Sequence, residues 1–476
     1  MKGTGTEPRM APRDRFVARF FVSGAVLATA ILLPSLCSAI PITFQDALVR
    51  LRAQNGGLLA ASAEVDQRRE ERDAARGLYL PRIEATASAT WINDPLILDL
   101  DPIRSAILQL HPNVPAAMIP SFRDRIQDDD FQRVALGVTW PIFTGGRILA
   151  VNQTASARLD DAREAQRDTE QGLTTELVRR YYGLRLAERV VTVRAEVRDG
   201  LAGHLHQAQR LAEEGLIADA ERLHAEVAFA SADRELKAAH RDLQIMRASV
   251  SGILAMDDSL EAASPLFLVS SIEPLAEFRQ ASLAANPALQ RLEASRNIAS
   301  AGSRVAASAW LPDIYLFGKR EMRTADLTVL DPEWAAGIGA RWTVFDGFAR
   351  LHSYQASRLV GDRVEDLIAQ ARRDIATLVT KRYEELQKAL EEYRSLDASL
   401  AAARENLRVR NEAFAEGMGT SLDVTDAQME LSRVQIERLA AAYSFDVALA
   451  ELLEVSGRSE RLPGYIQAAD VEVGND

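Results

Sequence analysis

Four segments of the chain alternate between apolar and polar residues with a period of two, which is typical of β-strands that have one apolar face. They cover residues 83–91, 134–140, 314–318 and 338–344. Each lies next to Pro81, Pro141 or Pro312, or close to a tryptophan. We predict four strands, each close to the 9 to 11 residues of a tilted strand that crosses a membrane.

Two much longer segments have the periodicity of helices. No proline occurs between Pro141 and Pro265 or between Pro332 and Pro463, and apolar residues recur there every three or four positions. We predict helices over 146–214 and 347–416, each of nearly 70 residues and about 100 Å long. Glycines at 215, 417 and 419 then predict turns into return helices over about 219–254 and 422–455.

The pattern occurs twice along the chain. The segments 55–81 and 286–312 both begin with Asn and end with Leu-Pro, 231 residues apart. Trp140 and Trp342, like Gly215 and Gly417, are 202 residues apart. We therefore predict an internal duplication whose first copy carries an extra, Pro-rich loop at about 95–130, with room for a short helix. The predicted organisation is a signal peptide at 1–39, a first repeat at 40–254, a linker or equatorial segment at 255–285, a second repeat at 286–457, and a C-terminal tail at 458–476.

All five tryptophans fall at or near the ends of the predicted strands, as in the aromatic girdles of membrane barrels. They are Trp91, Trp140, Trp310, Trp334 and Trp342. Four strands cannot close a barrel, so several copies must combine, and three copies would supply twelve strands. The alternative is a soluble sandwich with tryptophan in its core, but the opposite face of each strand is polar or Gly-rich.

The N-terminus resembles a secretory signal. A basic stretch leads into an apolar run over 20–33 and a small-residue exit that predicts cleavage after Ala39. An uncleaved membrane anchor is the alternative, although the run is short for a spanning helix. Cys37 is the only cysteine, and Leu36 before it is large for a lipoprotein signal, so lipidation there is the minor interpretation.

Composition and the absence of catalytic motifs argue against several classes of partner and reaction. Loss of residues 1–39 would change the formal net charge from −12 to −15, which argues against nucleic acid as a partner. The sequence contains no phosphate loop, HExxH helix or GxSxG elbow, so we expect no catalytic residue and no cofactor. The six histidines are scattered; we interpret His204 and His206 as surface or lumen residues, since residues two apart do not converge on one helix face.

The order of these elements resembles the TolC-like outer-membrane efflux protein family. The resemblance rests on the repeated succession of helix, Leu-Pro, strand, loop, strand, Trp-x-x-Phe-x-Gly, long helix, glycine turn and return helix, from Ile42 to about Gly457. It implies an α+β membrane protein in the outer membrane: a homotrimer with a twelve-stranded β-barrel continued by a long periplasmic α-helical barrel. The implied partners are outer-membrane lipid, a periplasmic adaptor, and an inner-membrane pump of the RND, ABC or MFS type.

The resemblance also implies a constriction at the hairpin tips. Asp423 and Asp426 stand three apart on one helix face and would form two acidic rings in a trimer, with Glu221 at the matching site of the first hairpin. Such rings select cations and can bind a blocking divalent metal ion. From the residues alone, Asp423 could instead complement the helix N-terminus while Asp426 is solvated. No structural metal site is expected.

Two further features of the tips follow from the resemblance. The turn residues match the family's adaptor-contact turns, although glycine could be there for the turn alone. These residues are Gly215, Leu216, Ile217, Gly417, Met418 and Gly419. Phe414 and Gly419 occupy positions where the family pattern has a tyrosine and an arginine that latch the closed state, so the same polar latch is not available here.

The sequence therefore predicts an exit duct for efflux or type I secretion, without enzyme activity. A periplasmic coiled-coil adaptor or scaffold is the alternative, which would explain the long helices but not the four strands or their tryptophans. A periplasmic enzyme is a third class with no supporting motif.

Overall fold

The computed structural model describes residues 40–257, 260–328 and 330–474. The predicted signal segment and Cys37 lie outside this range. In chain order the helices are α1 (Phe44–Gln54), α2 (Gly56–Gly77), α3 (Asp101–Leu110), α4 (Arg147–Glu213), α5 (Asp219–Ile253), α6 (Leu275–Ala285), α7 (Pro287–Ser308), α8 (Ala349–Ala415), α9 (Ser421–Val455) and α10 (Leu462–Gln467). The strands are β1 (Ile40–Ile42), β2 (Arg82–Trp91), β3 (Leu96–Asp99), β4 (Arg123–Gln127), β5 (Asp130–Phe143), β6 (Leu260–Ala262), β7 (Leu266–Leu268), β8 (Asp313–Glu321), β9 (Trp334–Arg341) and β10 (Val471–Val473).

Helices of equal length recur in the two halves. α1 and α6 have 11 residues each, and α2 and α7 have 22. The long helices α4 and α8 have 67 residues each, and the return helices α5 and α9 have 35. α6 stands in the same place relative to α7 as α1 does relative to α2. We propose on this basis that the second repeat starts at α6, inside the segment 255–285 that the sequence suggested as a linker.

Strands β2, β5, β8 and β9 form one antiparallel sheet in that order. β2 and β5 pair over ten positions, from Arg82 opposite Thr139 to Trp91 opposite Asp130. Residues directly opposite each other point to the same side of a sheet, so this register sorts the side chains into two faces.

One face of this sheet is apolar and the other is polar. The apolar face, as named here, includes Ile83, Ala85, Ala87, Val134, Leu136, Val138, Ile314, Leu316, Ala336, Ile338 and Ala340; Gln132 and Arg320 fall on the same side, towards the end that carries Trp91 and Trp334. The polar face includes Arg82, Glu84, Thr86, Ser88, Arg133, Thr139, Asp313, Tyr315, Lys319, Glu321 and Arg341, together with the rings of Phe131 and Phe317. Ile83 and Ile338 keep 65% and 69% of their surface exposed. An apolar face of this size that the chain leaves uncovered marks a contact with lipid or with another protein.

The tryptophans lie at the two ends of this sheet. Trp91 ends β2 and Trp334 begins β9, at the same end of the sheet. Trp140, Trp310 and Trp342 lie at the other end, where the indole N–H of Trp140 donates to the carbonyl oxygen of Tyr79 at 2.9 Å. Ten residues of β5 separate Trp140 from the partner of Trp91, which is about 33 Å along a strand. Strands of outer-membrane barrels tilt by about 35–45° from the membrane normal. At that tilt, a strand segment of this length spans about the 25 Å height of the barrel's apolar band.

The segment 95–130 is a small folded insertion and more than the loop predicted from the sequence. β3 and β4 pair antiparallel, and α3 lies between them in the chain. The guanidinium of Arg104 on α3 donates to the carbonyl oxygens of Ile119 and Ala116, at 2.9 and 3.0 Å. The backbone N–H of Gln132 beside the insertion donates to Asp326 in the β8–β9 connection at 3.0 Å, so the two connections at this end of the sheet are joined.

The largest core lies beside the middle of the long helices. Aromatic rings pack there between α1, α4, α9 and β7, in particular Phe44, Tyr181, Tyr182, Phe267 and Phe445. Two short sheets border this core: β1 pairs parallel with β6, and β7 pairs antiparallel with β10. The predicted linker and C-terminal tail therefore contain ordered strands that the sequence did not indicate.

One carboxyl group is buried in this core. Asp446 on α9 has no exposed surface, and neither carboxyl oxygen has a hydrogen-bond partner among the described residues. Burial raises the pKa of Asp446 well above its usual value, and the nearby backbone N–H of Phe267 offsets only part of that effect. The side chain is therefore held in its neutral form over a wide pH range.

We expect the free energy of unfolding to contain a pH-dependent contribution from Asp446. The unfolded chain releases this proton near pH 4 and the folded chain keeps it, so stability falls as pH rises from about 4 towards the folded pKa, by up to about 1.4 kcal/mol per pH unit. Asp446→Asn cannot ionise and should lose this slope, so its melting temperature should exceed that of the wild type at pH 7.5 more than at pH 4.5. Thermal melts followed by circular dichroism measure this, with the exposed Asp426→Asn as control. Identical pH dependence in wild type and Asp446→Asn would contradict the assignment.

None of the described helices combines the length and apolar character that a bilayer-spanning helix needs.

Candidate functional site

Each long helix turns back through a glycine. Gly215 and Gly417 have φ values of 70° and 73°, in the left-handed region that residues with a Cβ avoid. The N–H of Leu216 donates to the carbonyl of Leu211 at 2.8 Å, and that of Met418 to the carbonyl of Ala413 at 2.8 Å. These bonds satisfy the last carbonyls of α4 and α8 and form the same C-terminal motif at both tips.

The residues just beyond these glycines are largely exposed. Leu216 and Met418 keep 65% and 74% of their surface exposed, although both side chains are apolar. Ile217, by contrast, packs partly against the buried cluster at the tips. The two exposed side chains occupy the same place in the two hairpins.

Asp423 stabilises the start of α9. Its carboxylate accepts hydrogen bonds from the hydroxyl and N–H of Thr420, at 2.7 and 3.1 Å, and the N–H of Asp423 donates to the Thr420 hydroxyl. Arg410 on α8 forms an ion pair with it at 3.2 Å. The hydrogen bonds from Thr420, followed by the charge of Arg410, lower the pKa of Asp423. The capping role that the sequence left open is therefore present, and membership of a pore ring stays a prediction.

Asp426 has a different environment. It lies one turn further along α9, is exposed, and has no hydrogen bond or ion pair to another described residue. Its carboxylate is therefore available to solvent, to an ion or to another copy of the chain. Of the two aspartates, Asp426 better fits the predicted role in a constriction.

Glu221 joins the two hairpins. It lies in the first turn of α5, and its carboxylate accepts a hydrogen bond of 2.6 Å from the backbone N–H of Ser421, the first residue of α9. That N–H is one of the donors that a helix leaves unsatisfied at its start. Glu221 therefore caps a helix of the other hairpin instead of its own.

A histidine that the sequence analysis assigned to the surface or lumen is part of the same contact. His204 on α4 is only 5% exposed, its Nε2 lies 3.1 Å from the Ser421 hydroxyl, and its ring packs edge-on against Phe414 at 4.5 Å. Burial lowers the pKa of His204, opposed by the charge of Glu221. The surface prediction for His204 was wrong because the second hairpin covers this part of α4.

We call His204, Glu221, Phe414 and Ser421 the tip cluster. Phe414 is 1% exposed and packs with Ala208, Ala225 and Val424, so it contributes apolar contact where the family latch has a hydroxyl. Gly419 lies so close that a Cβ there would stand 3.2 Å from the backbone nitrogen of Phe414. Two polar contacts to Ser421 and one buried ring thus join the tips of the two hairpins.

A metal site is not formed within the described part of the chain. No group of three or more His, Cys, Asp or Glu side chains is arranged there to hold an ion. Binding of a divalent ion at Asp423 and Asp426 would need several copies of the chain, and it remains a prediction.

Comparison with known proteins gives a consistent result. A family model described as Outer membrane efflux protein matches residues 47–255 and 278–458, which is most of the chain. Protein CyaE of Bordetella pertussis is 27% identical over 341 residues, which cover 69% of this chain and 71% of CyaE.

Solved structures resemble the fold along most of its length. The outer membrane protein VceC of Vibrio cholerae superposes with a TM-score of 0.70 at 13% identity, covering 87% of this chain and 96% of VceC. The MtrE outer membrane channel of Neisseria gonorrhoeae, solved in its open state, gives 0.69 at 17% identity, covering 87% of this chain and 89% of MtrE. At such identities the likeness establishes the fold alone.

Proposed function

The chain belongs to the outer membrane efflux protein family, and from this membership we propose that three copies assemble into the exit duct of a tripartite efflux or type I secretion system. Members of the family are outer-membrane transport ducts with a long periplasmic portion and are not enzymes. The finer statements that follow, on stoichiometry, constriction and partners, are our proposals.

The four-stranded sheet is the observation that carries the proposal. Its outer strands, β2 and β9, each have one edge that pairs with no other described strand, and a sheet of four strands is too small to close. Pairing β2 of one copy with β9 of the next, three times, would give a closed barrel of twelve strands without a free edge. The apolar face would then contact lipid, the tryptophans would lie at the two interfaces, and the polar face would line the lumen.

The helices supply the periplasmic part of the proposed duct. A helix of 67 residues is about 100 Å long, more than three times the thickness of a bilayer core. α4 packs against both α5 and α9, and α9 packs against α8, so the long helices of one chain form a wall in the order α5, α4, α9, α8. Three such walls would form a tube whose narrow end lies at the hairpin tips.

We propose that the acidic residues at the tips form the constriction, with Asp426 nearest the ion path. Asp423 would contribute charge while capping α9, and Glu221 would contribute charge while holding the two hairpins together. Three copies place nine carboxylates near one axis, which favours cations. The tips would also meet the periplasmic adaptor, because Leu216 and Met418 are apolar, exposed and farthest from the sheet.

The adaptor contact can be tested by crosslinking. Single Leu216→Cys or Met418→Cys variants, labelled with a thiol-reactive benzophenone and irradiated in intact cells, should each form an adduct with a periplasmic protein. Leu59→Cys on α2, with a similarly exposed side chain, is the control and should form none. The adduct is measured as a new band on a denaturing gel and identified by mass spectrometry. Equal adducts at Leu59→Cys, or none at either tip, would contradict direct contact.

The proposal as a whole predicts that the protein leaves the membrane only with detergent and then has the mass of three chains. A periplasmic adaptor or scaffold would be released without detergent. Membrane extraction followed by light scattering of the purified protein therefore distinguishes the two functions.

A further inference from the structure

A cavity lies at the end of the sheet that carries Trp140 and Trp342. It has a volume of about 650 Å³ and is formed where α2 leads into β2, where β5 leads into α4, and where β8 begins. Its walls include residues of the polar face, among them Thr139, Tyr315 and Arg341. We call it the basal cavity.

The charged groups of the basal cavity are mostly positive. Arg82, Arg147 and Arg341 line it, and Asp313 is the only carboxylate among the lining residues. Arg147 pairs with Asp313 at 2.9 Å, and Arg82 pairs with Glu84, outside the lining, at 2.7 Å. The three guanidinium groups and the two carboxylates therefore leave a net charge of one positive unit per chain. This concentration of guanidinium groups contrasts with the net charge of −12 of the chain.

Arg341 is the guanidinium most available to a ligand. It lies directly opposite Asp313 in the β8–β9 register, but Asp313 is already paired with Arg147. No hydrogen bond or ion pair connects the Arg341 side chain to another described residue, and the residue is exposed. A planar guanidinium of this kind can bind a carboxylate, phosphate or sulfonate through two parallel hydrogen bonds.

The remaining wall of the basal cavity is apolar. Leu78, Leu80 and Pro81 come from the end of α2 and the turn into β2, and Pro141 comes from β5. A volume of this size and an apolar wall with a few convergent polar groups are typical of sites for small organic molecules. The apolar wall and the guanidinium groups together select a molecule that has both an anionic head and an apolar body.

We propose that the basal cavity is a binding site for amphiphilic organic anions, in which Arg341 holds the anionic head and Leu78, Leu80 and Pro141 contact the apolar body. The inference rests on the proposed function, in which the polar face lines the lumen of a membrane-spanning duct. The ligand would then be an anion on its way through the duct, or an anionic lipid from the adjoining membrane. An open site of this kind binds weakly and releases its ligand, as a transport path requires.

Decanesulfonate is a suitable probe because it combines a sulfonate with an apolar chain. Its binding to the full-length protein in nanodiscs of zwitterionic lipid can be measured by isothermal titration calorimetry, with empty nanodiscs subtracted. We expect saturable binding that weakens about tenfold in Arg341→Gln and less in Arg341→Lys, which keeps the charge but loses the planar fork. Lys319→Gln is the matched control: it removes one positive charge from the same face, about 20 Å along β8 from Asp313, and should change the affinity less than twofold.

Three results would overturn the proposal: unchanged affinity in Arg341→Gln, an equal loss in Lys319→Gln, or equally strong binding of uncharged decanol. Weaker binding of decanesulfonate in nanodiscs that contain phosphatidylglycerol, with the same dependence on Arg341, would support the site and identify anionic lipid as its occupant. Melting temperatures of the variants establish that each has folded. Because this assay needs no ion conduction, its failure is distinct from failure of the duct assignment.

Discussion

Glu221→Ala should increase the single-channel conductance of the duct several-fold. The carboxylate of Glu221 accepts the N–H of Ser421 at 2.6 Å and is the charged contact between the two hairpin tips. A hydrogen bond to a charged group contributes about 1.5 to 3 kcal/mol, so its loss should shift the balance between closed and open tips by about tenfold or more in each chain. Planar-bilayer recordings of wild type and variant measure the effect.

Two further variants distinguish the effect of the Glu221–Ser421 hydrogen bond from the effect of the charge of Glu221. Glu221→Gln keeps an acceptor oxygen and removes the charge, so its conductance should lie between those of wild type and Glu221→Ala. Glu226→Ala, one turn further along α5, removes a carboxylate that is hydrogen-bonded only to Arg222 on the surface and should behave as wild type. A fall in conductance in Glu221→Ala would mean that the charge of Glu221 matters more than its contact with Ser421.

Ala87→Arg should largely prevent assembly into the outer membrane, whereas Thr86→Arg should be tolerated. The two residues are neighbours in the middle of β2, where Ala87 belongs to the apolar face and Thr86 to the polar face. An arginine facing lipid at the bilayer midplane costs about 2 to 4 kcal/mol per chain, and three chains would bear it. An arginine facing an aqueous lumen keeps its hydration. The amount of heat-modifiable trimer in outer-membrane fractions measures assembly.

This pair of variants also tests which way the sheet faces. If Thr86→Arg fails to assemble and Ala87→Arg succeeds, the polar face points to lipid and the assignment of both faces is reversed. If both variants assemble equally, the sheet does not cross a membrane.

The long elements could be predicted from the sequence because each is governed by a local and repeated signal. Two proline-free stretches rich in helix-forming residues correspond to α4, α5, α8 and α9, and alternation next to proline or close to tryptophan corresponds to β2, β5, β8 and β9. The bends at Gly215 and Gly417 need a left-handed backbone conformation that glycine adopts easily, so their identity alone indicated a turn.

The elements that the sequence did not indicate depend on contacts between distant parts of the chain. β1, β6, β7 and β10 have three residues each, too few for a visible period, and each pairs with a strand about 200 residues away. The β3–β4 hairpin is interrupted by α3, so its two strands lacked the short turn that marks a hairpin.

The candidate site, too, has features that the sequence indicated and features that depend on contacts between distant residues. Asp423, Asp426 and Glu221 could be selected because the family resemblance implies acidic residues at these positions, but their different partners could not be read from their spacing. The contact between Glu221 and Ser421 and the burial of His204 both arise where one hairpin packs on the other. Asp446 was overlooked because a single aspartate in a long helix is usually on the surface, and only the packing of α9 against β7 reveals its burial.

The central claim, that this chain forms a conducting duct with an acidic constriction, is tested most directly by single-channel recording in planar bilayers. We expect discrete, cation-selective conductance steps from the purified wild-type protein, reduced by a divalent metal ion. Asp423→Ala combined with Asp426→Ala should lose most of the cation selectivity and the block by metal. Identical selectivity and block in wild type and variant would place the constriction elsewhere, and the absence of any conductance from correctly assembled protein would contradict the duct itself.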